Sequence, residues 1–141
     1  MTTYNVAVIG ATGLVGQTIR DILEERQFPV KELIPFATSR SAGKKITFNG
    51  EEYTIQELTE DSFKNNEIDI ALFAAGGDVS KQYAPLALEA GAFVVDNSSY
   101  YRMDETVPLV VPEVNASDIS QTDRLIANPN CSTTQSVVAL K

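Results

Sequence analysis

One cysteine and a glycine-rich turn are the parts of this chain with the most chemistry to offer. Cys131 sits in Asn128-Pro129-Asn130-Cys131-Ser132-Thr133-Thr134-Gln135, where a turn gives way to residues that read as a helix. A cysteine opening a helix lies among unpaired N–H groups at the positive end of the helix dipole, which favours the thiolate over the thiol. Such a sulfur can attack a carbonyl carbon, and the same N–H groups can hold the oxyanion that forms. Asn130 can donate one further hydrogen bond there. A lone cysteine can also be a small buried hydrophobe. The polar residues on both sides of this one are poor company for a core position.

The glycine turn is Val8-Ile9-Gly10-Ala11-Thr12-Gly13-Leu14-Val15-Gly16. Asn5 to Ile9 reads as a nearly continuous apolar strand, as expected of a parallel strand covered on both faces. After the turn, Val15, Ile19, Ile22 and Leu23 recur at helical spacing. Glycines at such a junction remove the Cβ atoms that would keep a phosphate away, and the new helix supplies free N–H groups. Gly10, Thr12, Gly13, Leu14 and Val15 are the candidate pyrophosphate residues. Close strand–helix packing is the other use of such a turn. A second glycine turn, Ala74-Ala75-Gly76-Gly77, follows a later strand. Gly76 and Gly77 either line the cofactor groove or merely make a tight turn.

The loop after the second strand bears on which nucleotide is held. Folds that prefer NAD usually place Asp or Glu there, on the ribose 2′-hydroxyl. This chain has Thr38-Ser39-Arg40-Ser41 instead, with Lys44 and Lys45 nearby. Hydroxyls and a guanidinium at Ser39, Arg40 and Ser41 match a 2′-phosphate, so NADP(H) is expected over NAD(H). A solvated basic loop is the other reading. Asp96-Asn97-Ser98-Ser99-Tyr100-Tyr101-Arg102 follows a strand end, where ligands gather in open α/β sheets. Arg102 is a candidate for gripping a substrate phosphate, or a plain surface arginine. Asn97 and Ser98 either contact the nicotinamide end and substrate or cap a turn.

The elements that must position these residues alternate between strand and helix. A second strand is expected over 33–37, and a hairpin over 46–48 and 52–55 around Asn49-Gly50. Thr59-Glu60-Asp61 is expected to cap a short helix before a buried strand over 68–74. Val79, Tyr83, Leu86, Ala87 and Ala90 suit a helix ending at Gly91, with a strand over 92–95 next. The prolines of Val107-Pro108-Leu109-Val110-Val111-Pro112 restrict it to an edge strand or extended loop. Residues 125–127 read as a short strand before the helix that starts after Cys131. The fold class is therefore α/β: a Rossmann-like, doubly wound, mostly parallel sheet with helices on both faces, occupying residues 1–141 as one domain.

A chain of 141 residues is enough for one such domain. Its net charge of −8 speaks against a large nucleic-acid footprint. No apolar stretch approaches the ~18–20 residues a membrane span needs, so neither nucleic acid nor a membrane is an expected partner. One cysteine cannot form an internal disulfide, which suits a reducing cytoplasm. No metal-ligand set is assigned. The chain has no histidine, which limits any complete acid–base mechanism it can run alone. It stops in mid-helix without a capping residue, so it is expected to be the N-terminal part of something longer.

Taken in order, the segments resemble the aspartate-β-semialdehyde dehydrogenases over nearly all of the chain. They are Gly10 to Gly16, Ser39 to Gly43, Phe73 to Gly77, Asp96 to Ser99, Arg102-Met103-Asp104, Val107 to Asn115 and Asn128 to Gln135. The last two are the most specific. The related acylglutamyl-phosphate reductases carry an aromatic residue beside their cysteine, where this chain has Ser132. The resemblance implies reductive dephosphorylation of β-aspartyl phosphate to aspartate β-semialdehyde, with release of inorganic phosphate. It implies Cys131 as the nucleophile, NADP held by Thr12 to Val15 and Arg40-Ser41, and phosphate held by Arg102. The route served runs to lysine, methionine, threonine and, in bacteria, diaminopimelate. It further implies a homo-oligomeric parent, dimer or tetramer. That family's histidine acid–base catalyst, its substrate arginine and glutamine and its dimer-forming sheet come from a later catalytic domain absent from this chain. The final helix that covers the sheet comes later too, so some apolar surface is expected to be bare. NADP binding is then expected of these residues, and turnover is not. A non-catalytic NADP-sensing module and a related acyl-phosphate or phosphate-independent reductase are the competing readings.

Overall fold

Apolar strands and amphipathic segments alternate along the computed structural model, which describes residues 1–141. The elements are β1 (Tyr4–Ile9), α1 (Leu14–Glu25), β2 (Val30–Ala37), β3 (Lys45–Phe48), β4 (Glu51–Thr54), β5 (Gln56–Glu57), β6 (Ile70–Phe73), α2 (Gly77–Glu89), β7 (Phe93–Asp96), α3 (Pro112–Asn115), β8 (Leu125–Ala127) and α4 (Cys131–Leu140), with a 3₁₀ turn at Ala116–Asp118. Six strands form one sheet in the order β5-β2-β1-β6-β7-β8, every pairing parallel. That order reverses direction between β1 and β6, the switch point at which doubly wound sheets open a crevice.

Strand pleating divides the side chains between two faces. Ala7, Ile9, Ile34, Phe36, Phe73 and Val94 face α2, whose Ala84 and Ala87 pack among them. Val8 and Leu33 face the other way, against Ile19 and Leu23 of α1. On that second side the β3–β4 hairpin adds Ile46, Phe48 and Tyr53 where another helix would usually lie. Asn49 and Gly50 turn the hairpin with φ of 49° and 79°, the doubly positive turn that Asn-Gly favours. Helices therefore cover both faces of a parallel sheet. The α1 face of the far strands is thinly covered, and Ile70, Leu72, Phe93 and Val95 stay half-buried there.

Two local expectations change. No helix forms after Thr59: residues 60–66 make turns instead. The Thr59 N–H donates to Ser62 Oγ at 2.8 Å, as at a helix start, but Asn66 Nδ2 takes the Ser62 carbonyl at 2.8 Å, the acceptor that the Asn66 backbone N–H would need to continue a helix. Phe63 meanwhile anchors the turn between Phe36 and Phe73. The proline stretch does run along the sheet edge, exchanging bonds of 3.0 Å with Ala127 from the Pro108 carbonyl and the Val110 N–H. It then enters α3, which the sequence pattern did not suggest, with Pro112 at the first helical position, where no N–H is required.

Candidate active site

Because all six strands run parallel, every strand delivers its carboxyl end to one rim of the sheet. The turn after β1 is built by backbone proximity. Gly10 has φ of +86°, and a Cβ there would lie 2.8 Å from the Ala74 carbonyl oxygen. The two glycine turns thus touch across the switch point. A Cβ on Gly16 would lie 2.2 Å from the Gly10 carbonyl oxygen, so α1 starts as close to the turn as backbone allows. Gly13 caps α1 and Gly76 caps α2, both extended and neither with a side chain over the first N–H groups. A Cβ on Gly76 would meet nothing, and one on Gly77 would reach Tyr100 at 3.6 Å, so neither glycine is demanded by the protein's own packing. Thr12, Gly13, Leu14 and Val15 are all exposed, Leu14 to 83%.

Between these turns lies an apolar cavity of about 230 Å³, lined by Ile9, Gly10, Thr38, Leu58, Val79 and Tyr83. Of these six, only Gly10 is among the residues expected from the sequence to hold cofactor; Ile9, Thr38, Leu58, Val79 and Tyr83 are not. Their chain positions give no hint of one another, and only the strand order gathers them. Ser39 and Arg40 stand exposed just beyond Thr38, with Ser41 half-buried in the same turn. Lys45 is engaged with Glu52 at 3.2 Å. The sheet also sets an exposed carboxylate next to this loop, since Glu57 of β5 pairs with Ala37.

At the other end of the rim, a cavity of about 330 Å³ is lined by Asn97, Val110, Val111, Asn128, Cys131 and Gln135 among others. Cys131 is the first residue of α4 and is exposed. Asn130 caps the helix through Oδ1, which accepts the Ser132 N–H at 2.9 Å. Its Nδ2 is left free to donate elsewhere. Asn97 lies half-buried between the glycine turns and the cysteine. Arg102 is half-buried and already at work: Nε donates to the Asn128 carbonyl at 2.7 Å and Nη2 to the Asn97 carbonyl at 3.0 Å. Nη1 and the second Nη2 hydrogen remain. Ser98 makes the turn-capping contacts, its hydroxyl accepting the Tyr100 N–H at 3.2 Å. It is 7% exposed, and its hydroxyl donates to Asp96 at 2.8 Å, so it shapes the loop from behind and does not face the cavity. The largest depression, about 600 Å³ around Asn5, Lys64, Glu67 and Asp69, opens elsewhere and holds neither a glycine turn nor the cysteine.

Three strand spacings separate β1 from β8, about 14 Å. A glycine turn opening one helix and an exposed thiol opening another thus share one rim at a dinucleotide's scale.

Comparison with known proteins gives a consistent result. Residues 5–122 match the family model described as semialdehyde dehydrogenase, NAD binding domain. An aspartate-semialdehyde dehydrogenase of Aquifex aeolicus is 57% identical over 141 residues, covering 98% of this chain and 41% of that protein. The crystal structure of Vibrio cholerae aspartate semialdehyde dehydrogenase II complexed with ASA superposes with a TM-score of 0.93 at 49% identity, over 99% of this chain and 46% of that one. The Candida albicans enzyme, solved with NADP, gives 0.79 at 30% identity, over 99% and 46%. The chain thus spans about two fifths of the curated relative's length.

Proposed function

This chain belongs to the semialdehyde dehydrogenase NAD-binding domain family, and from that premise we propose that it binds NADP(H) along the carboxyl rim and supplies the nucleophile for reductive dephosphorylation of β-aspartyl phosphate. The observation that carries the reading is the exposed Cys131 at the first turn of α4, on the same rim as the Gly10 turn.

The rim suits a dinucleotide. Open space beside Gly76 and the uncapped starts of α1 and α2 make a cradle for a pyrophosphate. The apolar cavity around Leu58 and Tyr83 suits an adenine, and exposed Ser39 and Arg40 suit a 2′-phosphate. Asn97 suits the nicotinamide end. The NADP in the Candida albicans relative supports the same choice of cofactor.

The chain's own residues then divide the chemistry. The Cys131 thiolate attacks the acyl carbon, and free N–H groups of the first turn of α4, with Asn130 Nδ2, hold the oxyanion. The C–O bond to phosphate breaks, leaving a thioester on Cys131 and releasing inorganic phosphate. The free end of Arg102 receives that phosphate while its other edge stays on Asn97 and Asn128. NADPH, when bound, supplies the hydride that reduces the thioester. Breaking the C–S bond then returns the thiolate and frees aspartate β-semialdehyde. With no histidine, these residues offer no imidazole for the proton transfers, so they bind cofactor and react at sulfur without completing turnover. A reducing compartment such as the cytoplasm keeps the lone thiol available.

The test is a pair of measurements on the chain. NADP should raise its melting temperature more than NAD does, and iodoacetamide should label Cys131 faster than a free thiol near neutral pH. No NADP shift together with ordinary labelling would sink the proposal.

A further inference from the structure

The middle of this rim is tied together by a residue with no part in the bond-making steps, Asp96. Asp96 ends β7 and is 0% exposed. A carboxylate so deeply buried is costly unless its oxygens are hydrogen-bonded. Here Oδ1 accepts from Ser80 Oγ of α2 at 2.7 Å and from the Ser98 N–H at 2.9 Å, while Oδ2 accepts from Ser98 Oγ at 2.8 Å. Ser98 Oγ in turn accepts the Tyr100 N–H at 3.2 Å. These bonds dictate the path from Asn97 to Tyr101, and that path returns Arg102 over the carbonyls of Asn97 and Asn128. The Asp96 carbonyl also accepts the Asn128 N–H at 2.9 Å. One residue thereby ties α2, the loop after β7 and the loop leading to Cys131.

We propose that Asp96 is a positioning residue for the Cys131 reaction: by fixing Ser98 it sets Arg102 across the two loops lining the cysteine cavity, so that the phosphate seat and the sulfur hold one geometry. The proposal rests on the reading of Arg102 as that seat. A buried charge serves here because hydrogen bonds to an ionised acceptor are shorter and stronger than neutral ones.

The test follows iodoacetamide labelling of Cys131 against rising inorganic phosphate, with the NADP-induced melting shift as a control for the fold. Phosphate should slow labelling of the wild-type chain. Asp96→Asn, nearly the same shape, should need about tenfold more phosphate for equal protection, because small displacements of a binding group are costly. Its NADP shift should persist, since the Gly10 turn lies two strands away. Equal protection in wild type and variant overturns the inference alone. A wild-type chain that phosphate does not protect overturns both the seat at Arg102 and the inference resting on it. Should Asp96→Asn fail to fold, Ser98→Ala replaces it under the same outcomes, with Ser98→Thr expected to restore the protection that Ser98→Ala loses.

Discussion

A Cβ on Gly16 would stand 2.2 Å from the carbonyl oxygen of Gly10, closer than a carbon atom can approach. The start of α1 and the end of β1 are locked together at this point. Gly16→Ala must push the helix away from the turn, at about 1–3 kcal/mol of stability, the usual range for overpacking. Urea unfolding measures the loss, and the NADP-induced melting shift should shrink with it. Gly76→Ala is the counterpart: its Cβ enters open space, so stability should fall by only about 0.5–1 kcal/mol, as for a weakened helix cap. If that open space is the cofactor's, NADP affinity should drop regardless.

Asn130→Ala removes the acceptor for the Ser132 N–H and the free amide beside the sulfur. Loss of a helix cap costs about 1 kcal/mol, read by chemical denaturation. Labelling of Cys131 should slow several-fold as the first turn of α4 frays. Labelling that keeps its wild-type rate would show that the cap has no part in activating the thiol.

Arg40→Glu sets a negative charge where a 2′-phosphate is proposed to lie. Titration calorimetry should show NADP binding weakened at least tenfold, the order expected for losing a charged hydrogen bond. NAD, lacking that phosphate, should bind as well as before or better. Equal weakening of both nucleotides would leave the 2′-phosphate without its proposed contact.

Alkaline pH offers a further test. Burial above all, then the charges of Tyr100, Asp96 and Asp104, pushes the Tyr101 hydroxyl above its usual value of 10.0. A folded-state value raised above the unfolded one contributes stability that is complete below about 10 and fades as pH climbs through the folded value. Tyr101→Phe, which keeps the ring against the core, should flatten that alkaline decline in a series of melting curves. Tyr53, raised by burial and then by Glu51, should account for the decline that remains.

Much of this was open to reading from residue types, because local rules governed it. Continuous apolar runs marked parallel strands covered on both faces, the Asn49-Gly50 pair marked the hairpin, and the polar neighbours of Cys131 marked an exposed sulfur. Where a side chain competed with backbone bonds, as Asn66 does for the Ser62 carbonyl, propensity misled. Ser98 stayed open between two readings, because a serine beside a rim looks the same in sequence whether its hydroxyl faces a ligand or a buried carboxylate.

The chain's residues alone determined that a glycine turn opens one helix and a cysteine another, since both follow from contacts within a few positions. Tertiary structure decided that the two share a rim, that Leu58 and Tyr83 close a cavity with Gly10, and that Ser80 and Asn128 both come to Asp96. Those relations depend on strand order and register, in which residues far apart along the chain come within a few ångströms.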